Sequence, residues 1–146
     1  MNKVTLPQYK NYPHKMELEV RVTDLYYRAH LSYDRLTSMT QHVRVKLLEY
    51  LGVSEKDLGD GRSGISVPDL KMVMLGEAAM GETIIFETGV VEIGTSSFRI
   101  AHRVKKKQGP LIALLEITIV AYDYSRKEAA PLSETLKESL RRISAH

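Results

Sequence analysis

The side chains best suited to acid–base chemistry are five histidines (His14, His30, His42, His102 and His146) and those of the tract Asp24–Asp34, DLYYRAHLSYD. The histidines are not paired at two-, three- or four-residue spacing, and no carboxylate beside them completes a metal triad, so no metal site is expected. His30 stands apart because an extended stretch gives way to a helix there, among Asp24, Tyr26, Tyr27, Arg28 and Asp34. Polar and aromatic groups at a helix N-terminus can polarise a carbonyl, since free backbone N–H groups point outward there. A capped helix entry with exposed tyrosines accounts for the same residues, and spacing alone does not separate the two readings.

Other motifs are weaker. Gly59-Asp60-Gly61-Arg62-Ser63-Gly64 spells G-x-G-x-x-G, but a helix precedes it and a strand follows, the reverse of a dinucleotide fingerprint. It reads as a loop. Glycine loops lack a following Gly-Lys-Ser/Thr, and neither Gly61–Gly64 nor Gly94–Ser97 forms a serine-hydrolase elbow. Ser96 and Ser97 read as turn residues. The dense cationic run is Arg103, Lys105, Lys106 and Lys107. It is either a solvated hairpin tip or a counter-charge for ligand phosphates.

The elements that must position these groups follow from pattern. With 146 residues, 43% apolar and 27% charged, the chain suits one domain spanning residues 1–146. The absence of cysteine excludes disulfides, a thiol nucleophile and Cys-ligated zinc. A net charge of +3 is too small to announce a nucleic-acid binder. Apolar runs fall short of the ~18 residues of a membrane span, and MNKVTLPQYKNYPHK lacks a signal-peptide core. A cytoplasmic protein with neither nucleic-acid nor membrane partners is expected.

Residues 1–14 read as an irregular lead-in. Met16, Leu18, Val20 and Val22 alternate with polar residues, the period of a half-buried strand. Leu36, Met39, Val43, Leu47 and Tyr50 then form the apolar stripe of a long helix that stops at Gly52. A strand over Ile65–Leu75 is interrupted by Pro68, which predicts a bulge or an edge. Thr83–Ile93, Ser96–Lys106 and Leu111–Tyr124 follow as strands in consecutive hairpins, the last covered on both faces. Leu132, Leu136, Leu140 and Ile143 mark a short amphipathic helix with Ser133 as its cap. The expected architecture is α+β: a long central helix wrapped by a five-stranded antiparallel sheet, the hotdog arrangement, with a short C-terminal helix. Its sheet edges need cover, and dimerisation that joins two sheets supplies it.

Val20–Gly52 resembles the opening of hotdog-fold acyl-CoA thioesterases of the 4-hydroxybenzoyl-CoA thioesterase-like branch. That branch commonly reads strand, Asp-x-Asp-x-x-Gly-His, a hydrophobic residue, Asn-Asn, then a long helix ending in Leu-Gly. Asp24 meets the first Asp, Tyr26 the second, Ala29 the Gly and His30 the His. Ser32 and Tyr33 meet the Asn pair, and Leu51-Gly52 the terminal Leu-Gly. Gly76–Glu82 and Val90–Arg99 resemble the family's later turn and strand pair, so the likeness covers roughly 15–140.

The resemblance implies hydrolysis of an acyl-CoA or acyl-carrier-protein thioester by a homodimer or homotetramer. Coenzyme A enters as part of the substrate, and no resident cofactor is expected. A non-catalytic module binding such a ligand is the alternative. Tyr26 stands where the branch has its catalytic Asp, and a phenol of pKa near ~10 is a donor rather than a base at neutral pH. The helix offers Gln41 and His42 where related enzymes carry a carboxylate. Asp24, then His42, then Asp34 are the expected replacement bases. Backbone N–H groups of His30, Leu31 and Ser32, helped by Tyr26, would hold the oxyanion. Arg103, Lys105, Lys106 and Lys107 would meet the coenzyme's phosphates.

Overall fold

Alternating polarity makes β1 (His14–Glu19), in which His14, Met16 and Leu18 are half-buried and Lys15, Glu17 and Glu19 exposed. The computed structural model describes residues 1–26 and 29–146; Tyr27 and Arg28, named above at the helix entry, lie outside the described residues. A short 3-10 turn, Val22–Asp24, ends the extended run, and Ser32 caps α1 (Tyr33–Tyr50) by accepting the Arg35 N–H at 3.4 Å. β2 (Gly64–Met74), β3 (Thr83–Ile93), β4 (Ser97–Lys106), β5 (Leu111–Asp123), the short β6 (Glu128–Ala129) and α2 (Glu134–Arg142) complete the chain.

The sheet is antiparallel in the order β1-β3-β4-β5-β2, with β6 added to β5, so it has six strands rather than the expected five. β3, β4, β5 and the short β6 run as consecutive hairpins, and β2 stands outside that run. β2 does not pair with β3, because β1 occupies that edge, and it adds to the far side of β5 instead. Its register slips between Ser66 and Asp69, where Pro68 withholds an N–H. Coverage of β5 on both faces holds for Ile112–Leu115; beyond them buried and half-buried residues alternate.

The sheet cradles α1. Leu36, Met39, Val43 and Leu47 are buried as their spacing predicts, whereas Tyr50 is exposed and turns its ring to within 5.8 Å of His14. One apolar cluster gathers Leu36, Met39 and Val43 with Ile84, Phe86 and Val104; a second joins Leu47 and Leu48 to Phe98, Ile100, Ile117 and α2 residues. Beside these apolar clusters the core also holds polar side chains. His14, Thr88 and His102 stand in register across β1, β3 and β4, and α1 contributes the buried Thr40 and Arg44.

The outer face is held by the chain ends. Asn11 and His146 exchange backbone hydrogen bonds of 2.7 and 3.1 Å, and the C-terminal tail crosses β3 at Gly89. A Cβ at Gly89 would lie 2.6 Å from that of Ala145, so only glycine admits the tail there. Beside it Glu87, 3% exposed, is ringed by Arg103 at 2.9 Å, Lys105 at 3.2 Å and Lys15 at 3.7 Å.

Burial, reinforced by the charges of Arg44 and His14, lowers the pKa of His102 to about 3. The unfolded imidazole binds its proton near the ordinary 6.5 and the folded one does not, so acid favours unfolding. Urea unfolding between pH 7.5 and 5 should show stability falling below pH 6.5, by up to ~1.4 kcal/mol per pH unit. A His102→Leu chain should lack most of that slope.

Candidate active site

The chain between β1 and α1 folds tightly because its polar groups find partners at once. Val20 exchanges backbone hydrogen bonds with Gly81 and Glu82 of the turn before β3, donating to Glu82 and accepting from Gly81, and the Leu31 N–H donates to the Ala78 carbonyl at 2.8 Å. Asp24, 2% exposed, closes the 3-10 turn. Its carboxylate accepts the Arg21 N–H at 2.8 Å and two guanidinium bonds at 3.2 Å. Burial opposes its ionisation, but these bonds outweigh the burial and hold the carboxyl below its usual range.

A cavity of about 380 Å³ opens between the end of β1, this turn and α1. Leu18, Glu19, Arg21, Thr23, Asp24, Arg35, Met39 and His42 face it, with Ser38. Two of the expected catalytic residues, Asp24 and His42, therefore share one cleft. Asp34 does not: it lies in the first turn of α1 and accepts the Ser32 hydroxyl, which lowers its pKa. Tyr26 and His30 are not among the lining residues. Tyr26 is half exposed, and His30 Nε2 lies 3.5 Å from Glu77.

The proposed oxyanion donors meet competition. The Leu31 N–H is bonded to Ala78, and the Ser32 N–H donates to the Asp24 carbonyl at 3.2 Å, so neither is free in this geometry. The cationic run is likewise engaged. Arg103 bonds Glu87 and the Tyr9 carbonyl, stacks 4.6 Å from the Tyr12 ring, and shares Glu87 with Lys105. Lys106 pairs with Glu82 at 2.9 Å and Lys107 with Glu17 at 3.4 Å. They form a set of separate ion pairs rather than one open anion clamp.

Sequence reading missed Glu19, Arg21, Arg35 and Ser38. Arg35, Ser38 and His42 step along one helical face, a signal that was present but not used. Glu19 gave no such signal, because strand alternation simply places it outward.

The profile of the thioesterase-like superfamily matches residues 20–140. The chain belongs to that superfamily. No curated protein sequence matches it. Among solved structures, a 1,4-dihydroxy-2-naphthoyl-CoA thioesterase from Synechocystis superposes with a TM-score of 0.80 at 12% identity, over 88% of this chain and 96% of that one. The gentisyl-coenzyme A thioesterase BH1999 gives 0.76 at 16% identity, over 87% and 99%. The hypothetical protein SAV2348 from Staphylococcus aureus, solved in complex with CoA, gives 0.82 at 10% identity, over 96% and 87%. These likenesses show that this member of the thioesterase-like superfamily has the hotdog fold.

Within that fold Ala29, matched above to a glycine, has φ +62°, in the left-handed region that strains a side chain. Ala29→Gly should therefore raise stability by up to ~1 kcal/mol, read by urea midpoint. Asp24→Ala should cost about 1–3 kcal/mol, because it removes a buried acceptor from several donors. Arg21→Ala, which removes an exposed partner, should cost less than Asp24→Ala in the same measurement.

Proposed function

We propose that this protein hydrolyses an acyl thioester of coenzyme A or a carrier protein, with the cavity beside α1 as its site. The observation that carries the reading is the placement of His42 and Asp24 in one cleft of a thioesterase-like chain. His42 takes the proton of the attacking water. Asp24, held as a carboxylate by Arg21, fixes the turn that forms one wall. Arg35 also faces the cavity and, among the described residues, has no ion-pair partner. Its guanidinium and the positive end of α1 stabilise the oxyanion.

Lys106 and Lys107, each held by a single carboxylate, are better placed to exchange partners for coenzyme phosphates than Arg103 and Lys105 around the buried Glu87. A homodimer fits the sheet: β2 pairs with β5 on one side only, and Val67, Leu70 and Met74 on it are exposed. The second reading, a module that binds the thioester without cleaving it, is favoured by Tyr26 at the position of the missing acid and by the closed hydrogen bonding of Asp24.

A thiol-release assay over aliphatic and aryl acyl-CoAs, naphthoyl and gentisyl esters included, should show turnover. His42→Ala should lower kcat by about 10²–10⁴-fold with KM little changed. Heat stabilisation by an acyl-CoA that stays intact across the whole panel would establish the binding reading instead.

A further inference from the structure

The cleft beside α1 has a polar rim and an apolar floor. Of the residues facing it, Glu19, Arg21, Thr23, Arg35, Ser38 and His42 are exposed, and Asp24 is buried among its donors. Among the described residues, Leu18 and Met39 are its only apolar members. Both also belong to the core. Met39, 6% exposed, lies in the cluster of Leu36, Val43, Ile84 and Phe86, and the half-buried Leu18 packs against that cluster. The four residues behind Met39 are fully buried. The cleft therefore stops at Leu18 and Met39, because close-packed side chains stand behind them.

The space in front of that floor is limited. At about 30 Å³ for each non-hydrogen group, the share of a water in the liquid, 380 Å³ holds about a dozen groups. A thioester carbonyl beside His42 and Arg35 brings with it the sulfur, two methylenes and nitrogen of the pantetheine arm. Room for about eight groups then remains for the acyl part. A longer chain has two ways to go. Inward it meets Met39 and the packed cluster; outward it crosses the charged rim and stays in water.

We propose that the cleft selects compact acyl groups, straight-chain or single-ring, of up to about eight non-hydrogen atoms, and that Met39 sets this limit. The inference rests on the reading of the cleft as the acyl-thioester site. Leu18 supplies the β1 share of the same floor. Each methylene that reaches the floor leaves water and improves binding about fourfold. Each methylene past the limit stays hydrated and adds nothing, so affinity plotted against chain length breaks where the cleft is full.

The test is a straight-chain series from acetyl to dodecanoyl on the whole protein, below micellar concentrations. Acyl-CoAs are read by thiol release, and the matching S-alkyl-CoA thioethers, which cannot be hydrolysed, by calorimetric titration. Affinity and kcat/KM should rise about fourfold per carbon to about octanoyl and then level. A benzoyl thioester should be preferred to a naphthoyl one. Met39→Ala, checked by circular dichroism, leaves a gap where the side chain lay and should move the break outward by about two or three carbons. Leu18→Ala opens the same floor from β1 and should move the break the same way, whether or not Met39→Ala folds. A break seen in binding without any cleavage keeps the size limit and removes hydrolysis. Turnover that climbs unbroken to dodecanoyl, a break that neither variant moves, or a preference for naphthoyl would overturn the proposal and leave hydrolysis standing. Absence of binding by every member of both series would overturn the two together.

Discussion

The structure depends on how the chain leaves β1 and enters α1. A buried helix needs its first turn capped, and an edge strand needs a reason to stop; both demands fall on the residues from Val20 to Ser32. Asp24 meets them together. Its carboxylate gathers the Arg21 amide and guanidinium, and its carbonyl receives the Ser32 N–H, the amide of the residue that caps α1. The Leu31 N–H bond to Ala78 then attaches the same segment to the turn before β3. Once these bonds form, the cleft between β1 and α1 has fixed walls, and His42, two turns along the helix, faces into it.

The same interaction decides which groups remain for chemistry. A carboxylate that accepts from an amide and a guanidinium keeps its charge and has little basicity to offer. Asp24 is therefore a structural acid on the cavity wall that it shares with His42. Glu87 shows the same logic on the outer face. Burial alone would raise its pKa, but bonds from Arg103 and Lys105 outweigh the burial and hold it down. The price is that half of the cationic run, Arg103 and Lys105, is committed to this buried carboxylate, while Lys106 and Lys107 pair with Glu82 and Glu17.

Much of the architecture was legible in the sequence. The β1 alternation, the α1 stripe from Leu36 to Leu47, the Ser133 cap and the irregularity at Pro68 all appear where the pattern places them. The site was legible only in part. The tract from Asp24 to Ser32 was recognisable, yet its residues divide between a cavity wall, a helix cap and an exposed border. That division depends on which amides are already bonded, and residue order does not record it. The polar row was less legible still: His14, Arg44, Thr88 and His102 lie on four different elements, and no spacing links them.

By itself, the sequence determined what depends on chain neighbours: element types, capping, turn positions, and the apolar faces that must be buried. Those follow from periodicity and from the short reach of a side chain to its own backbone. Tertiary structure alone decided that β2 joins β5 rather than β3, that Asp24 and His42 meet in one cleft, and that Arg103 answers Glu87. Each of these brings together residues that are not chain neighbours. It is selected by competition among all the partners the folded surface offers, which no local pattern encodes.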